Sequence, residues 1–391
     1  MKFINKWTLG LAAVGAVSMA SAVRADEAKL SQVNTALAST TLSGVVDIGY
    51  SQQIGDVRDS NNHAIRQSAT FFTPSYGIGK YQDGFSLSQL IVSLDKPLEA
   101  NNAWSAGYHI DLNAGDAALS GYSSGISHSS AAMSAGIRQA YVALSTPVGN
   151  GISWKIGVMD GITGYEGNTL SANPNYSRSY GWQVNPASLV GIIGTYQIID
   201  AVSVQAGFVN RDMSFSNLGE SDTKLQSHSY VASVTLTAPD SFGFLKGSAL
   251  NLQTIQGFDN QSVNNYSASA TLATPVAGLK VGLAFDAVQS LAESADGNIW
   301  GIYTTYQATD KLNFALRGEY VNAPDLSAEG QINNGPFQHG EEVTATVAYN
   351  MWANVLTRVE FRWDHSENET PFYAAGYSNA FLVAANVAYK F

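Results

Sequence analysis

The chain has 391 residues, no cysteine and a formal net charge of −11, and only 13% of its residues are charged. Disulfide and thiol chemistry are therefore excluded, and an acidic chain is a poor match for nucleic acid. Charged residues make up about a quarter of an ordinary soluble domain; their scarcity here, with no apolar run after residue 25 long enough for a membrane helix, points to strands that are apolar on one face only.

In chain order, Lys2 and Lys6 precede an apolar stretch from Trp7 to Ala20. The triplets Ala20-Ser21-Ala22 and Val23-Arg24-Ala25 both fit a cleavage site, and the second is favoured. Residues 1–25 thus read as a secretory signal peptide whose apolar core is too short to span a bilayer. Its removal takes away Lys2, Lys6 and Arg24 and no acid, carrying the net charge from −11 to −14. Leu30, Val33 and Leu37 then share a helical face, so residues 26–40 are expected to be a short periplasmic segment.

From residue 41 the apolar positions recur with period two, the repeat of a strand with one apolar face. Stretches long enough to cross a bilayer at a tilt are predicted at 41–52, 85–96, 103–113, 136–146, 152–160, 188–198, 201–211 and 228–238. They continue at 244–255, 265–274, 279–289, 298–307, 311–322, 342–351, 354–365 and 380–391. The connections alternate short and long, with Pro147–Gly151 and Pro239–Gly243 among the short ones and Ala114–Ala135, Gly161–Ala187 and Ser366–Asn379 among the long. An even strand count with this alternation predicts an all-β fold: a transmembrane antiparallel up-and-down β-barrel of about sixteen strands over residues 41–391, in a bacterial outer membrane. The last strand carries Phe381, Val383, Ala385, Val387, Tyr389 and Phe391 on one face. That terminal pattern, with Phe381, Tyr389 and Phe391 as its aromatic positions, resembles the signal that outer-membrane proteins present to the barrel-assembly machinery.

A more specific likeness lies between residues 85 and 211. The segments Gly84-Phe85-Ser86-Leu87-Ser88-Gln89, Ile137-Arg138-Gln139-Ala140-Tyr141-Val142, Gly164-Tyr165-Glu166-Gly167-Asn168, Asn173-Pro174-Asn175-Tyr176-Ser177-Arg178-Ser179, Asn185-Pro186 and Gly207-Phe208-Val209-Asn210 resemble the OmpL-like group of beta-barrel porins. The resemblance implies a passive or weakly selective channel and transfers neither catalytic residues nor a named solute. In general porins the third long loop folds into the lumen, and the resemblance implies the same for Gly161–Ala187. Tyr165, Glu166 and Arg178 are the candidates for its constriction. Glu166 and Arg178, its only charged residues, either set the local field in the pore or pair with each other or the wall to hold the loop.

The alternation places Asp47, Asp95, His109, Asp111, Lys155, Arg211, Lys280, Asp286, Arg317, Glu319, Arg358, Glu360, Arg362 and Lys390 on the lumen wall, since charges facing lipid cost several kcal/mol each, roughly 2–4 for Arg or Lys at the midplane. Arg317, Arg358 and Arg362 read as a basic patch beside Glu319 and Glu360. Arg138 is assigned to neither face: it is charged, yet it shares the parity of Ala140, Val142 and Leu144, which points outward near the outer rim. Glu341 and Glu342 read as solvated loop charges, as do Asp56, Arg58 and Asp59. Gly121-Tyr122-Ser123-Ser124-Gly125 fits a hydrolase nucleophile pattern but sits in a Ser/Gly-rich loop, away from the strand-to-helix elbow that motif needs. The six histidines lack zinc spacing, so neither metal nor cofactor is expected.

The function predicted is an outer-membrane porin forming a water-filled channel for small hydrophilic solutes. A barrel lipase or protease, and a non-conducting structural or adhesin barrel, are the alternatives. The expected surroundings are outer-membrane lipid and lipopolysaccharide. General porins of this size are often trimers, so a homotrimer is an expected assembly and a monomer remains open.

Overall fold

A computed structural model describes residues 39–54, 84–99, 104–118, 135–210, 228–257, 263–290, 296–322, 339–367 and 378–391. The expected signal peptide and most of the periplasmic lead lie outside the described residues. Sixteen strands follow in chain order, beginning β1 (Thr41–Ile54), β2 (Gly84–Lys96), β3 (Ser105–Ala114), β4 (Ala135–Thr146), β5 (Ile152–Asp160), β6 (Ser188–Ile199), β7 (Val202–Asn210) and β8 (His228–Thr237). The second half comprises β9 (Ala249–Gly257), β10 (Val263–Ala273), β11 (Leu279–Ser290), β12 (Asp296–Gln307), β13 (Leu312–Asn322), β14 (His339–Trp352), β15 (Val355–Ser366) and β16 (Asn379–Lys390).

Each strand pairs antiparallel with its sequence neighbour, and β16 pairs with β1, so the sheet closes into a barrel with no open edge. Gly44 and Phe391 exchange both backbone hydrogen bonds across that seam, at 2.9 and 3.0 Å. The outward face is apolar and rimmed by aromatics. Phe85, Phe208, Tyr230, Trp300 and Tyr320 are exposed at the end opposite Thr41 and Phe391; Tyr306, Phe314, Tyr349 and Tyr389 are exposed at the end that carries those two residues. Two aromatic girdles separated by aliphatic side chains match the two interfaces of a bilayer.

All sixteen predicted strands are present, with three differences at their ends. β9 begins at Ala249 rather than 244, because Asp240–Leu245 coil into a 3-10 turn around Gly243, whose φ of 60° ends the extended run. The connections after β9 and β11 are shorter than predicted, since those strands run on to Gly257 and Ser290 and pairing resumes at Val263 and Asp296. β14 starts at His339, so Glu341 and Glu342 belong to the ladder and not to a loop.

Candidate functional site

Strand pairing stacks the inward charges of β13, β14 and β15 into rows of one sign. Glu319 pairs with Glu342, and Glu342 with Asp364, forming an acidic row. One step further along, Arg317 pairs with Thr344, and Thr344 with Arg362, forming a basic row. Arg317 donates to Glu342 at 3.0 Å, and Arg362 to Asp364 at 2.8 Å. Arg317 and Arg362 are wholly buried and Arg358 is 2% exposed, which a wall facing open water would not produce.

What buries them is the segment joining β5 to β6, residues 161–187, in which no residue is exposed. It folds inward because the wall charges replace the water that its backbone gives up. The acids take its amides. Glu360 accepts from the backbone N–H of Tyr176 at 2.6 Å and of Ser177 at 2.8 Å; Glu319 accepts from Tyr180 at 2.7 Å and Gly181 at 3.1 Å. That second pair opens a one-turn helix, α1 (Tyr180–Gln183), where a negative charge also suits the free N–H groups, and Ser179 caps it by accepting from Trp182 at 3.0 Å. The arginines take its carbonyls. Arg358 donates to Asn173 at 2.8 Å, Arg317 to Ser177 at 2.8 Å and Arg362 to Arg178 at 2.6 Å. Gln89 on β2 does both, accepting from Leu170 N–H at 2.9 Å and donating to the Asn168 carbonyl at 3.1 Å. Hydrogen bonds to charged groups contribute about 1.5–3 kcal/mol each, so this set outweighs any single apolar contact of the segment.

The three candidates in the segment sit at its anchoring points. Tyr165 stacks on Tyr303 of β12 with ring centroids 4.2 Å apart, its hydroxyl 3.4 Å from Thr271 of β10. Glu166 accepts from Arg317 at 2.7 Å and from the Ser179 N–H at 3.0 Å. Arg178 donates to the carbonyls of Gly167 and Asn168 and lies 4.2 Å from the Trp182 ring centroid. Glu166 and Arg178 are 7% and 3% exposed. Of the two roles open to them from sequence, holding the segment is the one their contacts support.

A second cluster lies across β2 to β5. Asp111 accepts from Ser93 at 2.5 Å and Gln139 at 2.8 Å, and His109 bridges it to Asp95 with 2.9 Å on either side. Lys155 points inward, its Nζ 4.9 Å from the Tyr141 ring centroid. Arg138 departs from its outward parity. Asp111 opposes Gln139 and Leu112 opposes Ile137, so Arg138 is the extra residue of a β-bulge. The bulge turns it inward, where it pairs with Asp160, donates to Thr169 at 2.9 Å and is 8% exposed.

The predicted basic patch is not a free positive surface. Arg317, Arg358 and Arg362 are interleaved with Glu319, Glu342, Asp364 and Asp47 and covered by the segment's carbonyls. Glu342, read from sequence as a solvated loop charge, is wholly buried between Arg317 and Arg362. Arg211, the residues 121–125 and the residues 56–59 lie outside the described residues. Among the described residues, no three His, Asp or Glu side chains are grouped to hold a metal.

Comparison with known proteins accords with this architecture. The family described as "Putative beta-barrel porin-2, OmpL-like" matches residues 39–391. The outer-membrane channel DcaP of Acinetobacter baumannii is similar in fold, with a TM-score of 0.56 and 12% identity over 90% of this chain and 97% of that one. OmpF of Salmonella typhi has a TM-score of 0.56 at 11% identity, covering 90% of this chain and 97% of its own. An anion-selective porin from Comamonas acidovorans has a TM-score of 0.55 at 10% identity, covering 90% and 99%. No curated protein matches the chain in sequence.

Proposed function

Because the chain belongs to the OmpL-like beta-barrel porin family, and so is a porin of the bacterial outer membrane, we propose that it passes small hydrophilic solutes by diffusion through a water-filled lumen narrowed by residues 161–187. The observation that carries this reading is the inward fold of that segment, with every residue at least partly covered and its backbone bonded to charges on β13 and β15. Tyr165, Glu166 and Arg178 are its anchors, and the wall charges of β13 to β15 serve the segment more than the solute. With Arg317, Arg358 and Arg362 each facing a carboxylate, they lend the pore little charge preference. The protein performs no catalysis in this reading.

The partners proposed are outer-membrane lipid and lipopolysaccharide around the barrel and the barrel-assembly machinery during insertion. A homotrimer would fit the outer surface. On β3 to β6 the outward positions next to the rim opposite Thr41 and Phe391 are Leu112, Ala114, Ala135, Ile137, Val158 and Val190, none of them aromatic, a four-strand gap in a girdle that elsewhere carries Phe208, Tyr230, Trp300 and Tyr320. Strands packed against a second copy have no interface with lipid headgroups and need no such aromatics.

The extent to which residues 161–187 enter the lumen favours a second reading, a structural barrel that does not conduct. Single-channel recording in planar bilayers separates the two. The porin reading expects stepwise ohmic conductance that grows when Gly164–Ser179 is removed. A folded barrel that is silent both with and without that stretch would rule it out.

A further inference from the structure

Three contacts between residues 161–187 and the wall leave no room for a side chain. A methyl group on Gly49 of β1 would lie 1.8 Å from the Tyr176 hydroxyl oxygen and 2.6 Å from Ser88 Oγ. One on Gly282 of β11 would lie 2.1 Å from the Tyr165 hydroxyl oxygen and 3.0 Å from Tyr303 Cβ. At the third contact the segment itself gives up the side chain: a methyl on Gly181 would lie 2.6 Å from Asp286 Oδ2.

Neither tyrosine can swing aside to make space. Tyr176 is 2% exposed, its hydroxyl is 2.7 Å from Ser88 Oγ, and Arg358 lies 5.6 Å from its ring centroid. Tyr165 is 3% exposed and stacked on Tyr303. A close-packed interior passes such a displacement to the backbone behind it. The two glycines are far apart on the wall, since β1 and β11 are separated around the ring by β12 to β16. A segment pinned at two such points can neither tilt nor slide.

We infer that Gly49 and Gly282 are positioning residues, sockets for Tyr176 and Tyr165 that set how deep the segment lies against the wall and hence the cross-section of the pore. The inference rests on the constriction reading above. Added bulk in a socket pushes the tyrosine, and the chain behind it, off the wall toward the axis.

Unitary conductance in planar bilayers tests this with Gly49→Ala and Gly282→Ala. The control is Gly318→Ala on β13, where a methyl would come no closer than 3.6 Å to Ile302 Cγ2. Lower conductance in the two socket variants and wild-type conductance in the control are expected. Adding Tyr176→Ala to Gly49→Ala should bring conductance to that of Tyr176→Ala alone, because the methyl then meets only Ser88 Oγ of the wall and nothing of the segment. Socket variants that conduct as wild type would overturn the inference. If an alanine blocks folding, Tyr165→Ala and Tyr176→Ala leave the wall intact and carry the test, with a shifted conductance in support and an unshifted one against. Should removal of Gly164–Ser179 enlarge the pore while socket variants stay at wild type, the sockets fail and the constriction stands. Should that removal change nothing, the constriction itself fails.

Discussion

Glu166 Oε1 accepts a hydrogen bond from Arg317 Nη1 at 2.7 Å, so the only acid of residues 161–187 is held by a wholly buried arginine of β13. Arg317 also faces Glu342 and Glu319 at 3.0 and 3.8 Å, which gathers three carboxylates around one guanidinium at the centre of this cluster, Glu342 being shared with Arg362 at 3.7 Å. Removing one member of a buried ion pair costs about 3–5 kcal/mol, chiefly through the charge left behind.

Arg317→Met should therefore be the most damaging single change in the lumen. It should lower barrel stability by about 3–5 kcal/mol or stop assembly, because Glu166, Glu319 and Glu342 lose their shared cation. Glu166→Gln keeps one acceptor oxygen, enough for Arg317 on Oε1 or the Ser179 N–H on Oε2 but not for both, and Arg317 retains Glu342 and Glu319, so it should cost only about 1–3 kcal/mol. The urea midpoint of the folded band on unboiled gels checks the order. An Arg317→Met barrel at least as stable as Glu166→Gln would contradict it.

Glu360 offers a test of the segment alone. Its two oxygens hold the amides of Tyr176 and Ser177, and Thr346 donates to it at 2.7 Å. Glu360→Ala should leave the sheet paired and release two amides, each such bond worth about 1.5–3 kcal/mol. The expected result is a folded barrel whose open-channel current is noisier than wild type. A quiet current at the wild-type level would show that the amide clamp does not restrain the segment.

The barrel was largely legible in the sequence because its signal is local. On β15, Arg358, Glu360, Arg362 and Asp364 alternate with Val359, Phe361 and Trp363, and period two alone assigns the faces. Arg138 could not be placed by parity for the same reason: one extra residue in β4 reverses it, and no composition signal marks the bulge. Glu342 sat at a strand end beside Glu341, where single-sequence boundaries are weakest. The partners of the 161–187 segment could not be read at all. The contact between Tyr176 and Glu360 joins residues 184 positions apart, and nothing in either local stretch encodes the other. Glu166 and Arg178 admit a role in holding the loop from sequence alone, but which wall residues they meet is a consequence of closure.

Arg138 gives a prediction at the base of the segment. It ties Asp160, the last residue of β5, to Thr169, and Asn168 donates to Asp160 at 3.0 Å and to the Ala187 carbonyl at 2.6 Å. Arg138→Lys preserves the charge and loses the fork that reaches Asp160 and Thr169 together. It should destabilise nearly as much as Arg138→Gln, by roughly 1–3 kcal/mol on a urea midpoint. Full recovery by lysine would mean that charge alone matters at the bulge.

The seam between β16 and β1 separates two contributions of the terminal residue. The backbone of Phe391 closes the ladder onto Gly44 with both hydrogen bonds. Its ring lies over the same glycine, where an added methyl would come 2.5 Å from the ring carbon Cζ. Phe391→Ala removes the ring and keeps the backbone bonds; deleting Phe391 removes both and leaves Gly44 unpaired at the rim. If assembly reads the aromatic ring, the two variants should fall to similarly low outer-membrane levels, with unfolded protein in the periplasm. If closure of the ladder dominates, the deletion should fall well below Phe391→Ala. Quantifying heat-modifiable barrel in outer-membrane fractions decides between them, and wild-type levels in both would remove the last residue from assembly altogether.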